Sequence, residues 1–110
     1  MRVWDLPPRR LCRQHLLGEH LELHAIWAVL TRGLAGYSRH PETIRWRGKL
    51  KALYLRHEAQ VAEMTKRGYN HRSPLDRRRA TGSAVQRAFV DKVPAQIRIL
   101  KKKGCSCFSR

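Results

Sequence analysis

The chain has few acidic residues and no long apolar run. Eight of its 110 residues are Asp or Glu, against 24 Lys or Arg, and the formal net charge is +16 at pH 7. No stretch approaches the roughly 20 apolar residues that cross a bilayer, and the N-terminus lacks the basic-then-apolar order of a secretory signal. We therefore expect an intracellular protein that does not contact a membrane. Charge of this size and sign attracts polyanions, so nucleic acid is the expected partner.

Cysteine is also scarce, and its number is odd. The three cysteines, Cys12, Cys105 and Cys107, cannot all pair within the chain, and we expect reduced thiols. A metal ion at the Cys105/Cys107 tip is the lesser alternative, because a structural zinc site needs a second pair of ligands.

Internal repeats, heptads and the alternating apolar pattern of strands are absent, so the fold class is predicted to be all-α. A chain of this length is typical of one domain. We predict a small single domain over residues 1–110, with two long helices, an extended N-terminal arm and short C-terminal helices. A basic tail is expected to begin at about residue 77.

The first third of the chain is predicted to form the arm and a long helix. Pro7 and Pro8 close an extended arm, residues 1–6, and suit the first turn of a helix that runs to about Thr31. The apolar stripe of this helix is predicted to face the core and comprises Leu16, Leu23, Trp27 and Leu30. The adjoining edge, where a site could lie, carries His15, Glu19, Glu22 and Ile26.

A connection over residues 33–41 is predicted to lead into a second long helix from Ile44 to Lys66, with Gly68 as a left-handed cap. Its apolar positions are Ile44, Leu50, Leu53, Tyr54, Val61 and Met64. Residues 69–76 are predicted as a loop and residues 80–90 as a short helix. Pro94 is expected to open a last helix through Leu100.

Two basic runs, Arg77–Arg79 and Lys101–Lys103, point to phosphate groups as ligands. Charge alone does not separate DNA from RNA.

His20 and His24 lie one helical turn apart, so both imidazoles could bind one metal ion with Glu19 as an oxygen ligand. That spacing is common, and we interpret the pair as histidines on a helix face, where they contact phosphate. Glu22, an acid in an acid-poor chain, is a candidate for stabilising a cation or moving a proton. A salt bridge to a nearby arginine is the more common role of such a residue.

Two blocks of the sequence carry a family resemblance. The first block comprises Gln14, His15, Glu19, Glu22 and Leu23, and the second comprises Lys49, Leu50, Leu53, Arg56, Ala62, Glu63, Lys66, Arg67, Gly68, Tyr69 and Asn70. Over about residues 1–76 the chain resembles the pyrimidine-dimer DNA glycosylase family. The resemblance implies a small all-α DNA-repair enzyme that needs no metal or other cofactor. It implies glycosylase and AP-lyase activity on double-stranded DNA with damaged bases or abasic sites, as a monomer in the cytoplasm, associated with the nucleoid.

The resemblance also implies a mechanism and its residues. The nucleophile in this family is the α-amino group of the first residue, here Met1, which we expect to be retained because Arg2 is bulky. This amine attacks C1′ of the damaged nucleotide, and β-elimination from the resulting imine cuts the strand. Glu22 corresponds to the essential glutamate, and His15 is a plausible assistant in elimination or phosphate binding.

The predicted DNA contacts are Arg2, Gln14, His20, His24, Arg45, Arg47, Lys49, Arg56, Arg77, Arg78 and Arg79. Leu21 and Ala25 stand where the family pattern has phosphate-binding arginines, which makes another damaged or modified base an alternative to pyrimidine dimers. A basic helical nucleic-acid-binding module without enzymatic activity is the second hypothesis. The third is a metal-dependent nuclease that uses His20, His24 and Glu19.

Overall fold

A computed structural model of the chain describes residues 2–33, 39–103 and 107. Within these residues all regular structure is helical, which confirms the predicted all-α fold. The helices are α1 (Arg13–Arg32), α2 (Pro41–Ile44), α3 (Leu50–Lys66) and α4 (Val93–Lys102), with 3₁₀ turns at Pro8–Arg10 and Arg77–Arg79. Among the described residues, no helix has the length and apolar character required to span a membrane.

The predicted first helix is divided in two. The prolines start a 3₁₀ turn instead of an α-helix, and Cys12, with φ −67° and ψ 167°, is extended and precedes α1. Prediction placed the helix start about five residues too early, because Pro8 at a first-turn position suits either helix type. The helix ends at Gly33, whose φ of 67° is left-handed and whose N–H donates to the carbonyl of Val29.

The apolar faces of α1 and α3 form the core together with the N-terminal arm. One cluster of buried side chains comprises Val3, Leu23, Ile26, Trp27, Trp46, Ala52 and Leu53. A second comprises Trp4, Leu6, Leu11, Leu16, Met64, Leu100 and Cys107. Three members of the predicted α1 stripe are therefore buried, and Leu30 packs at its edge. The arm contributes a side chain to each cluster, so its position is fixed by apolar packing.

The predicted second long helix begins later than expected. Residues 41–44 form the short α2, and the chain then turns through Gly48, which has a φ of 72°, before α3 starts at Leu50. Ile44, predicted to face the core, is 45% exposed. A glycine with left-handed φ interrupts a helix that apolar spacing alone would make continuous.

The segment predicted as a short helix at residues 80–90 is not helical. Its carbonyls at Thr81 and Ser83 instead accept hydrogen bonds from the N–H groups of Lys51 and Ala52, at 2.8 and 3.1 Å. These N–H groups belong to the first turn of α3 and have no partner within the helix. The segment therefore caps α3 with its main chain, which requires an extended backbone rather than a helical one.

Gly68 and α4 agree with prediction. Gly68 follows α3 with φ 83°, and the Tyr69 N–H donates to the Met64 carbonyl, as in a Schellman motif. Pro94 lies in the first turn of α4, which buries Gln96 and Leu100.

Candidate functional site

The main chain of the N-terminal arm is held by buried polar side chains. The Trp4 N–H donates to Glu19 Oε1 at 2.6 Å, and the carbonyls of Val3 and Leu6 accept from Arg45 and Arg56 at 2.8 and 2.6 Å. Hydrogen bonds to charged groups in a buried setting are among the stronger ones in proteins.

Two contacts from the C-terminal part of the chain complete this attachment. Asp5 and Gln96 form a reciprocal pair, in which the Asp5 N–H donates to Gln96 Oε1 and Gln96 Nε2 donates to Asp5 Oδ2. Arg2 forms a salt bridge with Asp91 at 2.8 Å and lies over the ring of Trp4.

The arm runs antiparallel to α1. Trp4 and Leu6 pack in the cluster that contains Leu16, whereas Val3 packs in the cluster that contains Leu23 and Ile26. From Leu6 back to Val3, the arm therefore runs along α1 from Leu16 toward Leu23, in the direction of the turn that carries Glu22. Met1, the predicted nucleophile, lies outside the described residues.

Glu22 is half-buried and makes no hydrogen bond or ion pair with any described residue. The other seven acids all have such partners in the described part of the chain, and their contacts involve Asp5, Glu19, Glu42, Glu58, Glu63, Asp76 and Asp91. The interpretation of Glu22 as one half of a structural salt bridge therefore has no support in the geometry.

Glu19, one turn earlier on α1, has the opposite environment. Its side chain is buried, with a residue exposure of 2%, and it accepts hydrogen bonds from Arg56, Gln60 and Trp4. Burial raises the pKa of its carboxyl, while the charge and hydrogen bonds of Arg56 act against that rise. Both of its carboxylate oxygens accept hydrogen bonds from these groups, so the geometry does not support Glu19 as the metal ligand of the third hypothesis.

His15, a predicted catalytic assistant, lies away from Glu22. Seven residues separate them on α1, which is about 10 Å along the helix axis. His15 Nδ1 is 3.1 Å from Cys12 Sγ and 3.4 Å from Cys107 Sγ, and its ring meets the edge of Trp4. The structure does not bring His15 and Glu22 together. Cys105, the third thiol, lies outside the described residues.

Four of the predicted DNA contacts are occupied by protein partners. Arg45 is 7% exposed and binds Glu42, Asp5 and two carbonyls, and Arg56 binds Glu19 and the Leu6 carbonyl. Lys49 donates to Gln86, and Arg2 pairs with Asp91. For Arg45 and Arg56 the predicted contact with phosphate is not supported, because these guanidinium groups anchor the arm.

Five other predicted DNA contacts lie on the surface. Gln14, Arg47, Arg77, Arg78 and Arg79 are exposed, and Arg79 donates to the Thr31 carbonyl. Binding of DNA by these residues stays a prediction.

His20 and His24 do not point outward from α1. Together with His57 of α3 and His71 they form a histidine cluster, in which each residue offers a ligand atom within 4.8 Å of the others. The predicted contact of His20 and His24 with phosphate is therefore not supported, because their rings pack within this cluster. Burial lowers the pKa of His20, His24 and His57, and for His24, beside the other imidazoles, to about 4.

Sequence reasoning missed His57 and His71. Leu53, His57, Gln60 and Met64 recur at spacings of four, three and four residues and are all buried. That spacing was a readable signal for a histidine on the buried face of α3. The position of His71, after the helix, depends on the path of the loop and had no local signal.

A cleft of about 660 Å³ adjoins the histidine cluster. It lies between α1 and residues 74–79 and is lined by His24, Trp27, Ala28, Thr31, Arg32, Pro74, Leu75, Asp76 and Arg79. It faces the side of α1 opposite to Glu22, since residues 22 and 24 are about 160° apart around a helix.

Comparison with known proteins gives one match. A family model described as pyrimidine dimer DNA glycosylase matches residues 1–77. The chain belongs to this family. No curated protein and no solved structure matches the chain. Membership confirms the predicted family and indicates an enzyme that acts on DNA in repair, as pyrimidine dimer DNA glycosylases do.

The residues that carry the resemblance to pyrimidine dimer DNA glycosylases hold the arm and the ends of α3 in place. Arg67 pairs with Glu63 at 2.7 Å and donates to the carbonyl of Leu11 at 2.6 Å. Arg56 and Glu19 bind the arm itself. Much of the family pattern in this chain therefore positions the described part of the N-terminal arm against α1.

Proposed function

We propose that the chain is a bifunctional DNA glycosylase and AP lyase. In this proposal it excises a damaged pyrimidine, a pyrimidine dimer or another lesion, from double-stranded DNA, and then cuts the strand at the abasic site. The α-amino group of Met1 is the nucleophile, and Glu22 is the catalytic carboxylate. The family match over residues 1–77 supports this reaction class.

The single observation that carries the proposal is the environment of Glu22. In a chain of net charge +16, this carboxylate alone among the acids of the described residues has no cationic or hydrogen-bonding partner. An unpaired carboxylate beside the path of the N-terminal arm can stabilise a cation formed there. Glu19, by contrast, is already neutralised by Arg56.

The α-amino group suits the nucleophilic step. Its reference pKa is about 7.7–8.0, against about 10.4 for lysine, so a larger fraction is neutral at pH 7. Its lone pair attacks C1′, and the electrons of the C1′–N bond leave with the base. The sugar ring then opens to an iminium ion, and Glu22 stabilises the positive charge of these species.

Elimination follows from the iminium ion. The Glu22 carboxylate removes a proton from C2′, and the C2′–H electron pair forms the C1′–C2′ enamine. The enamine nitrogen then pushes its lone pair back to C1′, a C2′=C3′ double bond forms, and the C3′–O electron pair leaves with the phosphate. Hydrolysis of the remaining imine returns the free amine. These steps require amine, carboxylate and water only.

Access to C1′ requires the damaged nucleotide to be displaced from the helix. The exposed Arg47, Arg77 and Arg78 are proposed to bind the flanking phosphates. Leu21 is 70% exposed and lies next to Glu22. Leu21 offers DNA an apolar side chain where the family pattern has a phosphate-binding arginine. This difference supports the proposal that the chain acts on other lesions than the family members that have the arginine.

Borohydride trapping tests the nucleophile. The untagged chain is incubated with a duplex that contains one abasic site, the imine is reduced, and the adduct is located by peptide mass mapping. We expect one adduct, on Met1, that is lost when the amine is acetylated. An adduct spread over lysines, or no adduct, would show that the reaction does not use this amine.

Substitution of the carboxylate tests Glu22. Glu22→Gln removes a negative charge and is expected to bind DNA at least as well, while base release and strand cleavage fall by about 10²–10⁴-fold. Asp76→Asn is the matched control, since it makes the same change in charge at an exposed acid and retains an N-capping side chain. Cleavage by Glu22→Gln at the wild-type rate would contradict the assigned role.

A further inference from the structure

The histidine cluster joins three parts of the fold. His20 and His24 come from α1, His57 from α3, and His71 from the segment that follows α3. Their possible ligand atoms all lie within 4.8 Å of one another. Imidazole is a preferred ligand of zinc, copper, cobalt and nickel ions.

One ring nitrogen in the cluster is buried without a partner. His24 Nε2 makes no hydrogen bond within the described part of the chain. A buried polar atom without a hydrogen bond is costly, and a native protein usually provides a partner. A metal ion at the centre of the cluster would provide it.

The spacing of the rings fits one tetrahedral ion. The ring centroids of five of the six pairs are separated by 4.7 to 5.1 Å. Four imidazoles bound at a metal–nitrogen distance of about 2.0–2.1 Å in a tetrahedron have ring centres about 5 Å apart. The four rings therefore have nearly the separations that coordination requires.

Two oxygen atoms outside the cluster orient its rings. Gln60 Oε1 lies 2.9 Å from His20 Nδ1, and Glu58 Oε1 lies 3.1 Å from His57 Nδ1. A hydrogen bond from Nδ1 to an oxygen makes Nε2 the ligand atom, which is the usual arrangement around metal-bound histidine. Ser73 lies near both Nε2 atoms, with its hydroxyl 3.5 Å from His20 Nε2 and its carbonyl oxygen 3.3 Å from His57 Nε2, so a bound ion would replace these contacts. Burial lowers the pKa of His20, His24 and His57, which is the direction that favours the neutral imidazole a metal ion binds.

We propose that His20, His24, His57 and His71 together bind one divalent transition-metal ion, of which zinc is the first candidate. Four protein ligands fill the coordination shell, so the ion has a structural role. It ties the segment around His71 to α1 and α3. The site is on the side of α1 opposite to Glu22 and takes no part in the imine chemistry proposed above.

A metal titration tests the site. The full chain is freed of metal with a chelator and titrated with Zn²⁺ and, as a spectroscopic probe, Co²⁺. We expect one equivalent to bind, with the intense visible absorption of tetrahedral cobalt. The measurement uses the Cys12→Ser variant as its background, because Cys12, His15 and Cys107 form a second group of possible ligands.

Two ligand variants and one control locate the ion. His71→Gln, on a loop, and His24→Gln, on α1, are expected to weaken Zn²⁺ binding by about 100-fold or more. His40→Asn is the matched control, since His40 caps α2 through its side chain and Asn retains that role. Circular dichroism verifies that each variant is folded, and His71→Gln is informative even if a core variant unfolds.

Limited proteolysis gives an independent measurement. Arg72 is exposed and follows His71 directly, so trypsin can cut after it. We expect Zn²⁺ to slow this cleavage in the wild type but not in His71→Gln, while cleavage after Lys102 serves as the internal reference.

Three results would overturn the metal site: no stoichiometric binding, binding that persists unchanged in both ligand variants, or binding seen only when Cys12 is present. None of these measurements contains DNA. A failure of the metal site therefore leaves the glycosylase proposal intact, and a failure of the trapping experiment leaves the metal site intact.

Discussion

At the scale of single residues, the two glutamates Glu19 and Glu22 show how position on one helix determines which protein groups bind a carboxylate. They are one turn apart, yet Glu19 is surrounded by Arg56, Gln60 and the Trp4 main chain, whereas Glu22 has no such partners among the described residues. A carboxylate that already accepts several hydrogen bonds has little capacity left for a substrate.

Cys12 is the residue with the clearest consequence for pH. Burial raises the pKa of its thiol, but hydrogen bonds from His15 and Cys107 and the charge of His15 outweigh burial and lower that pKa from 9.0 to about 6. The reactive thiolate therefore forms as the pH rises through about 6. Alkylation of Cys12, followed by mass spectrometry between about pH 4 and pH 9, should show that midpoint.

His15→Gln is the control for Cys12, because it removes the neighbouring imidazole. We expect the alkylation midpoint to move up toward the ordinary value of a thiol. A midpoint near 8.5 in the wild-type chain would contradict the assigned effect of His15.

At the scale of elements, the cap that residues 80–90 place on α3 depends on a close approach of two backbones. Gly82 has a φ of 82°, and a Cβ atom there would lie 2.2 Å from the Gly48 carbonyl oxygen. Gly82→Ala must therefore displace the segment from the start of α3, and it should lower the free energy of unfolding by more than the φ strain alone.

Gly33→Ala provides the comparison for Gly82→Ala. Gly33 also has a left-handed φ, of 67°, but no described atom beyond its two chain neighbours lies within 4 Å of the position its Cβ would take. Gly33→Ala should therefore lower the free energy of unfolding by the backbone strain alone, about 1–2 kcal/mol. Urea denaturation of both variants measures the difference. Equal urea midpoints for the two variants would mean that the close approach of Gly82 to Gly48 adds nothing to the destabilisation caused by Gly82→Ala.

Long amphipathic elements were predictable, and their interruptions were not. The apolar spacing of α1 predicted the burial of Leu16, Leu23 and Trp27, and Gly68 and Pro94 marked the ends of helices through their own backbone chemistry. The start of α3 was misplaced because its cap comes from residues about 30 positions later. Local patterns carry no information on such a partner.

The candidate site was also predictable only where local sequence patterns determine it. Glu22 was singled out from the resemblance, and its lack of a partner among the described residues appeared only in the fold. Arg45 and Arg56 were predicted to bind phosphate because arginine in a basic chain usually lies on the surface. Their burial against Asp5, Glu42 and Glu19 depends on how three separate segments meet, which periodicity does not encode.

At the scale of the whole molecule, the phosphate contacts proposed for the exposed arginines predict how DNA binding depends on salt. Each phosphate contact contributes about −0.9 to the slope of log K against log salt concentration. The double variant Arg77→Ala with Arg78→Ala should therefore reduce the slope by about 2 in magnitude, measured by fluorescence anisotropy. The reduction should be equal on damaged and undamaged duplexes, and a loss confined to damaged DNA would contradict a simple phosphate role.

The attachment of the N-terminal arm to Asp91 and to Gln96 of α4 has a consequence for synthesis in the cell. The partners Asp5 and Gln96 are separated by 91 positions, and Arg2 and Asp91 by 89. A chain that emerges from the ribosome makes its first residues long before their partners exist. The arm can make these contacts only after residues 91–96 have been made, so a chain that stops before them does not hold its N-terminal arm in the way the longer chain does.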